Sequence, residues 1–192
     1  MPDQIVVSEF LAAQRPRRAD AARNFDALLA AAREAFAAHG AEASLEDIAR
    51  RAGVGIGTLY RNFPTRRHLF EAVYAAEVDD LYRASLAVAD LPPWEALTTW
   101  LRRFVDYATT KRAIREALAG EESDIFQACL LTMYAGGTPL LLRAQEAGEA
   151  RTDMSIEDLL RMVSGIASVA YPEEGQRERV LAIALDGVRT RR

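Results

Sequence analysis

The sequence predicts an all-α protein of about nine helices, in which a small N-terminal domain precedes a larger C-terminal one. Hydrophobic residues make up 50% of the 192 residues but aromatic residues only 8%, a balance that favours alanine- and leucine-rich helices over β-sheet. Apolar residues recur at three- and four-residue spacing through most of the chain. Glycine or proline marks most of the breaks between these stretches.

Three helices are predicted in the first third of the chain. Each carries apolar residues at helical spacing and is followed by a residue that stops or breaks a helix. Ser44 and Asp47 lie three residues apart, as in a capping box, at the start of the second helix. The three predicted helices cover residues 22–39, 44–52 and 56–62.

Six further helices are predicted in the remainder of the chain. Thr65 is suited to cap the first, Pro93 to the first turn of the second, and Ser155 to cap the fifth. The stretch Gly136–Pro139 predicts either a kink in a helix or a surface loop between two shorter helices, and both alternatives stay open. The six helices begin near residues 65, 93, 111, 123, 155 and 172, and the one at residue 111 is short and ends near residue 118.

Basic charge is concentrated in the first third of the chain. Residues 14–68 contain ten arginines and six acidic residues, a net charge of +4, whereas residues 69–192 carry a net charge of −6. This asymmetry indicates that the first third meets an anionic partner. Residues 1–21 are predicted to form a flexible basic arm, and its Arg15–Arg18 segment either reaches a DNA minor groove or is a solvated tail.

Residues 44–63, which read SLEDIARRAGVGIGTLYRNF, fit a helix-turn-helix. Two helices cross tightly when a small residue lies at their contact and the turn residue tolerates a left-handed backbone. Ala49 is suited to the contact and Gly53 to the turn. A plain helical hairpin is the alternative, but the arginines on the same segment favour DNA binding. Residues 22–66 are therefore predicted to be a three-helix DNA-binding domain.

The stretch GVGIGTLYRNFPTRRHLFEAVY, which begins at Gly53, resembles the signature of the TetR family of transcription regulators. The resemblance implies that the helix at residues 56–62 enters the major groove. It also implies that Thr58, Tyr60 and the residue opening the next helix contact phosphates. That last residue is usually lysine and is Arg66 here, so the positive charge is retained.

The predicted recognition helix carries few polar groups that can read bases. Ile56 is suited to touch a thymine methyl group, and Arg61 and Asn62 are the other candidates for base contacts. Direct readout is therefore expected to be sparse, with DNA shape contributing to specificity. The predicted DNA-binding residues are Ser44, Gly55, Ile56, Gly57, Thr58, Tyr60, Arg61, Asn62 and Arg66.

The C-terminal residues resemble the SbtR-like branch of the same family, in the segments WLRRFVDYATTKR, LLRAQEAGEARTDMSIEDLLRMVSGI and LDGVR. That resemblance implies that residues 67–192 form a dimer and enclose an effector cavity. The last two predicted helices are apolar over wide arcs, which can cover the protomer's own core and also a partner. A fully buried helix pair in a monomer is the alternative. The predicted dimer residues are Leu159, Met162, Val163, Ile166, Val180, Ile183 and Ala184.

An effector pocket is predicted among the helices that begin near residues 65, 93 and 123. Several side chains there combine apolar bulk with hydroxyl or indole donors, as ligand pockets do. Ordinary core packing is the alternative for each of them. The predicted lining residues are Trp100, Phe104, Tyr107, Phe126, Met133 and Tyr134.

Enzyme, metal and membrane functions find little support in the sequence. It contains no catalytic motif for acyl or phosphoryl transfer and no histidine pair at metal-ligand spacing. The single cysteine, Cys129, excludes an internal disulfide and a cysteine-based zinc site. No run of about 18 apolar residues is found, so neither a transmembrane helix nor a membrane partner is expected. A cytoplasmic protein without metal or cofactor is therefore predicted.

The sequence thus predicts a ligand-responsive transcriptional regulator. Its expected partners are double-stranded DNA with a palindromic operator, a second copy of the chain, and an unidentified small-molecule effector that releases the repressor. A helical sensor that has lost DNA binding and a helical enzyme with a buried active site are the alternatives. The complete helix-turn-helix core argues against the sensor, and the absence of an acid–base constellation argues against the enzyme.

Overall fold

A computed structural model describes residues 7–117 and 124–190 of the chain. Within these ranges the backbone forms nine α-helices and one 3₁₀ turn at Gly40–Glu42, without a β-strand. The predicted all-α class is confirmed. The helices are α1 (Val7–Gln14), α2 (Ala19–His39), α3 (Leu45–Arg51), α4 (Ile56–Asn62), α5 (Arg66–Ala87), α6 (Pro93–Ala117), α7 (Asp124–Glu146), α8 (Ile156–Ser168) and α9 (Gln176–Val188).

The chain divides into two compact units. The first comprises Met1–Asp79 and Thr110–Leu130, and the second comprises Asp80–Thr109 and Leu131–Arg192. The predicted DNA-binding domain, residues 22–66, lies wholly within the first unit. The first unit also contains parts of the predicted C-terminal domain, residues 67–192, because the boundaries between the two units fall inside helices α5, α6 and α7.

Aromatic pairs build the core of the first unit. The rings of Phe25 and Phe63 lie 5.0 Å apart, and those of Phe36 and Phe70 are stacked at 4.0 Å. All four side chains are buried, so they fix α2 against the start of α5 and the segment that precedes it. Paired aromatic rings contribute about 0.5–1.5 kcal/mol beyond the area that they bury.

The core of the second unit is centred on Trp100, whose side chain is fully buried. Its indole Nε1 donates a 3.0 Å hydrogen bond to the carbonyl oxygen of Leu81, so the buried donor is satisfied. The predicted capping box of α8 is also present, because Ser155 and Asp158 each accept a hydrogen bond from the other's backbone N–H. The hydrogen bond from the backbone N–H of Ser155 lowers the pKa of the Asp158 carboxyl.

The N-terminal arm differs from the sequence prediction. Residues Val7–Gln14 form helix α1, and the side chain of Val7 is buried. Arg15 donates two hydrogen bonds to the carboxylate of Asp26, at 2.8 and 2.5 Å. This bidentate pair lowers the pKa of Asp26 and raises that of Arg15. It ties the segment to α2, so the prediction of a flexible arm over residues 1–21 is wrong for its described part.

A separate short helix near residues 111–118 is also not found. Helix α6 continues without a break from Pro93 to Ala117, while residues 118–123 lie outside the described part of the chain. No glycine or proline occurs between residues 94 and 117 to interrupt the helix. Nine α-helices are still found among the described residues, as many as predicted, because α1 was not predicted and two predicted helices are one.

The stretch Gly136–Pro139 is not a surface loop. It lies inside α7, which continues to Glu146 with Pro139 in its interior. A Cβ atom built on Gly137 would lie 2.6 Å from Cη2 of Trp100 and 2.7 Å from Cδ1 of Ile156. Glycine is therefore present because the α7 backbone comes this close to two buried side chains.

Helix α7 is also long and apolar enough to cross a membrane, by length and composition alone, which corrects the expectation that no such segment exists. Among the described residues it is the one helix that meets this test. Cys129, Met133, Leu140 and Ala144 on α7 are buried within the protein. Core helices of soluble proteins meet the same test, so the observation is weak evidence for a membrane span.

Candidate nucleic-acid interface

Helix α3 and the turn after it have the geometry that the sequence predicts. The hydroxyl of Ser44 accepts a 3.3 Å hydrogen bond from the backbone N–H of Asp47, which caps the helix. After α3 the chain turns at Gly53, whose φ of +70° is left-handed. The backbone N–H of Val54 then donates a 3.0 Å bond to the carbonyl of Ala49, which closes the turn.

The turn at Gly53 gives a direct test of the helix-turn-helix. Gly53→Ala is expected to destabilise the protein by about 1–2 kcal/mol, because a residue with a Cβ is strained in the left-handed region. No neighbouring atom lies within 4 Å of the added Cβ, so strain in the backbone is the cause. Urea denaturation followed by circular dichroism measures the change.

Gly57→Ala is the matched control for Gly53→Ala. Gly57 lies inside α4 with negative φ, and its added Cβ also meets no atom within 4 Å. Alanine there is expected to leave the free energy of unfolding unchanged or to raise it by up to about 1 kcal/mol. Equal losses in the two variants would contradict the assigned turn.

Helix α4 divides into an inward and an outward side. Leu59 is fully buried, and Phe63 directly after the helix is buried against Phe25. On the outward side Ile56 is 37% exposed and Tyr60 is 45% exposed, although both are large hydrophobic residues. These two side chains and the bare backbone of the flanking glycines are the apolar part of the exposed surface of the short helix.

The polar side chains at the end of α4 bond to the helix itself. Arg61 donates from Nε to the carbonyl of Gly57 at 3.2 Å and from Nη2 to the hydroxyl of Thr58 at 3.1 Å. Asn62 donates from Nδ2 to the carbonyl of Thr58 at 2.8 Å. In this arrangement neither residue extends straight outward from the helix.

Arg66 opens α5 and is half-buried. Its Nη1 donates a 2.6 Å hydrogen bond to the carbonyl of Ala43, just before the cap of α3. This bond anchors the guanidinium of Arg66 beside the start of α3. Beside it the exposed hydroxyl of Thr65 accepts from the backbone N–H of His68, which caps the helix as predicted.

Several arginines that make the first third basic are held in ion pairs. Arg50 donates to Asp47 at 2.5 Å, and this bond lowers the pKa of the Asp47 carboxyl. Arg67 pairs with Glu71 at 2.9 Å. Arg51 and Arg61 are exposed. Fewer positive charges are therefore directed at a partner than the count of arginines suggests.

Comparison with known protein families decides the identity. Residues 28–73 match the family model described as bacterial regulatory proteins, tetR family, and residues 92–190 match the one described as transcriptional regulator SbtR-like, C-terminal domain. The chain belongs to the TetR family. Regulators of this family bind DNA through the N-terminal domain and are not enzymes.

Solved structures of TetR regulators agree with this assignment. A TetR transcriptional regulator from Streptomyces coelicolor is 42% identical with a TM-score of 0.75, and the match covers 88% of this chain and 99% of that one. A TetR regulatory protein from Mycobacterium vanbaalenii is 34% identical with a TM-score of 0.72, over 91% and 100% of the two chains. A putative TetR-family regulator from Rhodococcus sp., 23% identical with a TM-score of 0.64 over 86% and 98%, shares the fold. A search of curated proteins gave no match.

The predicted dimer residues of this TetR chain differ in how far they are buried within the protomer. Leu159 and Val163 are fully buried within the protomer, so they belong to its own core and not to a face that meets a partner. Ile183 is 72% exposed. The remaining four are half-buried: Met162, Ile166, Val180 and Ala184. Val169, directly after α8, is also exposed.

The predicted ligand residues are placed in both units. Trp100, Phe104, Tyr107 and Met133 are buried in the second unit. The ring of Phe104 lies 6.1 Å from that of Trp100 and 5.6 Å from that of Tyr107. Because the Trp100 indole already bonds Leu81, its donor is not available to a ligand in this arrangement.

The other two predicted ligand residues are less buried. Tyr134 in the second unit is half-buried, and partial burial, followed by the charge of Glu157, raises the pKa of its hydroxyl. Phe126 belongs to the first unit, where its ring lies edge-on to Tyr74 at 5.1 Å.

A cleft that sequence reasoning missed lies between α6 and α9 in the second unit. Its volume is about 330 Å³. It combines apolar and charged side chains, and none of the six predicted ligand residues lines it. The lining residues are Arg102, Val105, Asp106, Arg177, Glu178, Leu181, Ala182 and Leu185. Nothing in the sequence pattern indicates this cleft, because it depends on how the two helices pack.

Proposed function

We propose that this TetR-family chain is a cytoplasmic repressor that binds a palindromic operator as a homodimer and is released by a small-molecule effector. The observation that carries the proposal is the outward side of α4, where Ile56 and Tyr60 are exposed beside bare glycine backbone. Such a surface suits a DNA groove, because at the two glycines no side chain separates the backbone from the bases.

The surface of α8 and α9 supports dimerisation. Ile183 and Val169 are exposed, and Met162, Ile166 and Val180 beside them are half-buried. Exposed and half-buried apolar residues on two helices that contact each other are typical of a protein–protein interface. Two copies packed about a two-fold axis would place one α4 in each half of a palindromic site.

Phosphate contacts are proposed for Thr58, Tyr60 and Arg66. Tyr60 is exposed, and the guanidinium of Arg66 at the start of α5 is anchored by a hydrogen bond to the carbonyl of Ala43. Backbone N–H groups near Ser44 and Gly55 add hydrogen bonds that position the DNA without reading its sequence. Arg61 and Asn62 are proposed to reach the DNA once their bonds to α4 are exchanged.

Salt dependence tests the Arg66 contact. Arg66→Ala is expected to weaken operator binding and to lower the slope of log K against log salt by about one unit per protomer, because one phosphate contact is lost. Tyr60→Phe is expected to weaken binding with little change in that slope. Fluorescence anisotropy on an operator duplex at four salt concentrations measures both.

Arg102→Ala is the matched control, since Arg102 is an exposed arginine of the second unit. It removes the same charge without removing a proposed phosphate contact. If Arg66→Ala and Arg102→Ala gave the same slope, Arg66 would not contact a phosphate.

The effector is proposed to bind in the second unit, near Phe104, Tyr107, Met133 and Tyr134. Apolar surface beside two hydroxyl groups suits a small, mainly apolar ligand with a few hydrogen-bonding atoms. Binding would change the separation of the two recognition helices in the dimer, and a coupling of about 1–3 kcal/mol is typical of such regulators.

A screen of small molecules by thermal shift, followed by anisotropy with operator DNA, tests release. Compounds that raise the melting temperature are expected to lower operator affinity, and Tyr134→Phe is expected to weaken their effect. Stabilising compounds that leave operator affinity unchanged would contradict effector-driven release.

A further inference from the structure

We infer that Ile56 is the main base-reading residue of the interface and that it recognises the C5-methyl group of thymine. The inference rests on the proposed operator binding and concerns how that operator is read. Thymine is distinguished in the major groove by its methyl group, which is apolar and projects into the groove. An exposed aliphatic side chain on the outward side of a recognition helix is the group that complements it.

The polar alternatives on α4 are less available. The side chains of Arg61 and Asn62 are both bonded back to α4, at distances of 2.8 to 3.2 Å. A polar contact with a base edge that uses the bonded donors exchanges these bonds for new ones, which reduces its net gain. Ile56 gives up no hydrogen bond when it meets a methyl group.

The glycines on either side strengthen the case. No atom lies within 4 Å of a Cβ built on Gly55 or Gly57, so the backbone flanking Ile56 is bare on its outer side. The Ile56 side chain, 37% exposed, is therefore the most prominent apolar group at the start of α4. Glycines here allow the backbone to approach the bases, and Ile56 is the side chain that then reaches them.

The inference is tested by removing single methyl groups from the DNA. An operator selected from a randomised pool of duplexes is resynthesised with deoxyuridine in place of each symmetry-related pair of thymines. For one pair, loss of both methyl groups is expected to weaken binding by the native protein about 15-fold, or about fourfold per methyl group. Replacing a cytosine elsewhere in the half-site with 5-methylcytosine is the control. It shows whether a change in methyl groups alters binding through the width of the groove and not through contact with Ile56.

The protein variants assign the effect to Ile56. Ile56→Ala is expected to bind the thymine and deoxyuridine operators with nearly equal affinity, whereas Tyr60→Phe should keep the discrimination while binding both more weakly. Thermal melting checks that Ile56→Ala folds, and Ile56→Val, which keeps methyl groups at the same position, is expected to retain most of the discrimination.

Failure of the inference is distinct from failure of the proposed function. If no sequence is enriched from the pool, operator binding itself is refuted, and the inference with it. If an operator is found but no thymine pair responds to deoxyuridine, or if the response is unchanged in Ile56→Ala, the proposed function stands and the inference is overturned. The inference would likewise be overturned if Arg61→Ala removed discrimination at a guanine position and that discrimination were larger than the one at any thymine pair.

Discussion

Ile183→Glu is expected to dissociate the proposed dimer and thereby to abolish tight operator binding. Ile183 is 72% exposed in the protomer, so the substitution leaves the protomer core intact. At a two-fold interface the change introduces two carboxylates into an apolar contact. An uncompensated buried charge costs about 3–5 kcal/mol, which corresponds to a loss of roughly 100-fold or more in the dimerisation constant.

Leu86→Glu is the matched control for Ile183→Glu. Leu86 near the end of α5 is 60% exposed, so the same charge is introduced at an exposed hydrophobic residue outside α8 and α9. This variant is expected to remain dimeric and to bind the operator with native affinity. Sedimentation velocity and anisotropy on the same samples measure the two properties. A dimeric Ile183→Glu protein would place the dimer interface elsewhere.

Gly137→Ala is expected to destabilise the protein by about 2 kcal/mol. The added Cβ would lie 2.6 Å from Cη2 of Trp100 and 2.7 Å from Cδ1 of Ile156, closer than carbon atoms approach. Overpacking of this kind costs about 1–3 kcal/mol. Alanine also favours the helix by up to about 1 kcal/mol, but the fully buried Trp100 ring cannot move aside, so the clash decides the sign.

The double variant Gly137→Ala, Ile156→Val separates the clash from other effects. Valine removes Cδ1 of Ile156 and is expected to recover part of the lost stability, which a double-mutant cycle measures. Gly136→Ala is the neighbouring comparison, because its Cβ comes no closer than 3.0 Å to the hydroxyl of Ser85 and 3.4 Å to the ring of Tyr82. Gly136→Ala is expected to lose less stability than Gly137→Ala. If the changes in free energy of unfolding for Gly137→Ala and Ile156→Val simply added in the double variant, the contact between residue 137 and Ile156 would carry no strain.

Local signals in the sequence were sufficient for the helix-turn-helix. Ser44, Gly53 and Thr65 act through residues within five positions of themselves, so caps and turns can be predicted without knowledge of the fold. The family signature over the same residues agrees with this reading. The helix boundaries that were predicted correctly are the ones that such residues mark.

Tertiary contacts account for what the sequence did not reveal. The order of the N-terminal segment depends on the pair of Arg15 with Asp26, and the close approach of Gly137 to Trp100 depends on helix packing. Neither contact leaves a periodic signal. Helix α8 is apolar over so wide an arc that composition cannot separate Val163, which is buried, from Ile166, which is half-exposed.

The ion-paired arginines show that a count of charges in the sequence does not identify which side chains are available to a partner. The count of ten arginines in residues 14–68 correctly indicated the basic part of the chain. The structure shows that Arg15, Arg50 and Arg67 are bonded to nearby carboxylates. Net charge predicts which part of a chain attracts an anion, but the side chains that contact it depend on local partners.

The central claim is that this chain is a dimeric regulator that recognises a palindromic DNA sequence. The most direct test incubates the full chain with a randomised pool of DNA duplexes and sequences the bound fraction at physiological salt. The account predicts an enriched palindrome with two half-sites about one helical turn apart, bound with strong salt dependence. A bound fraction with the same sequence composition as the input pool would contradict it.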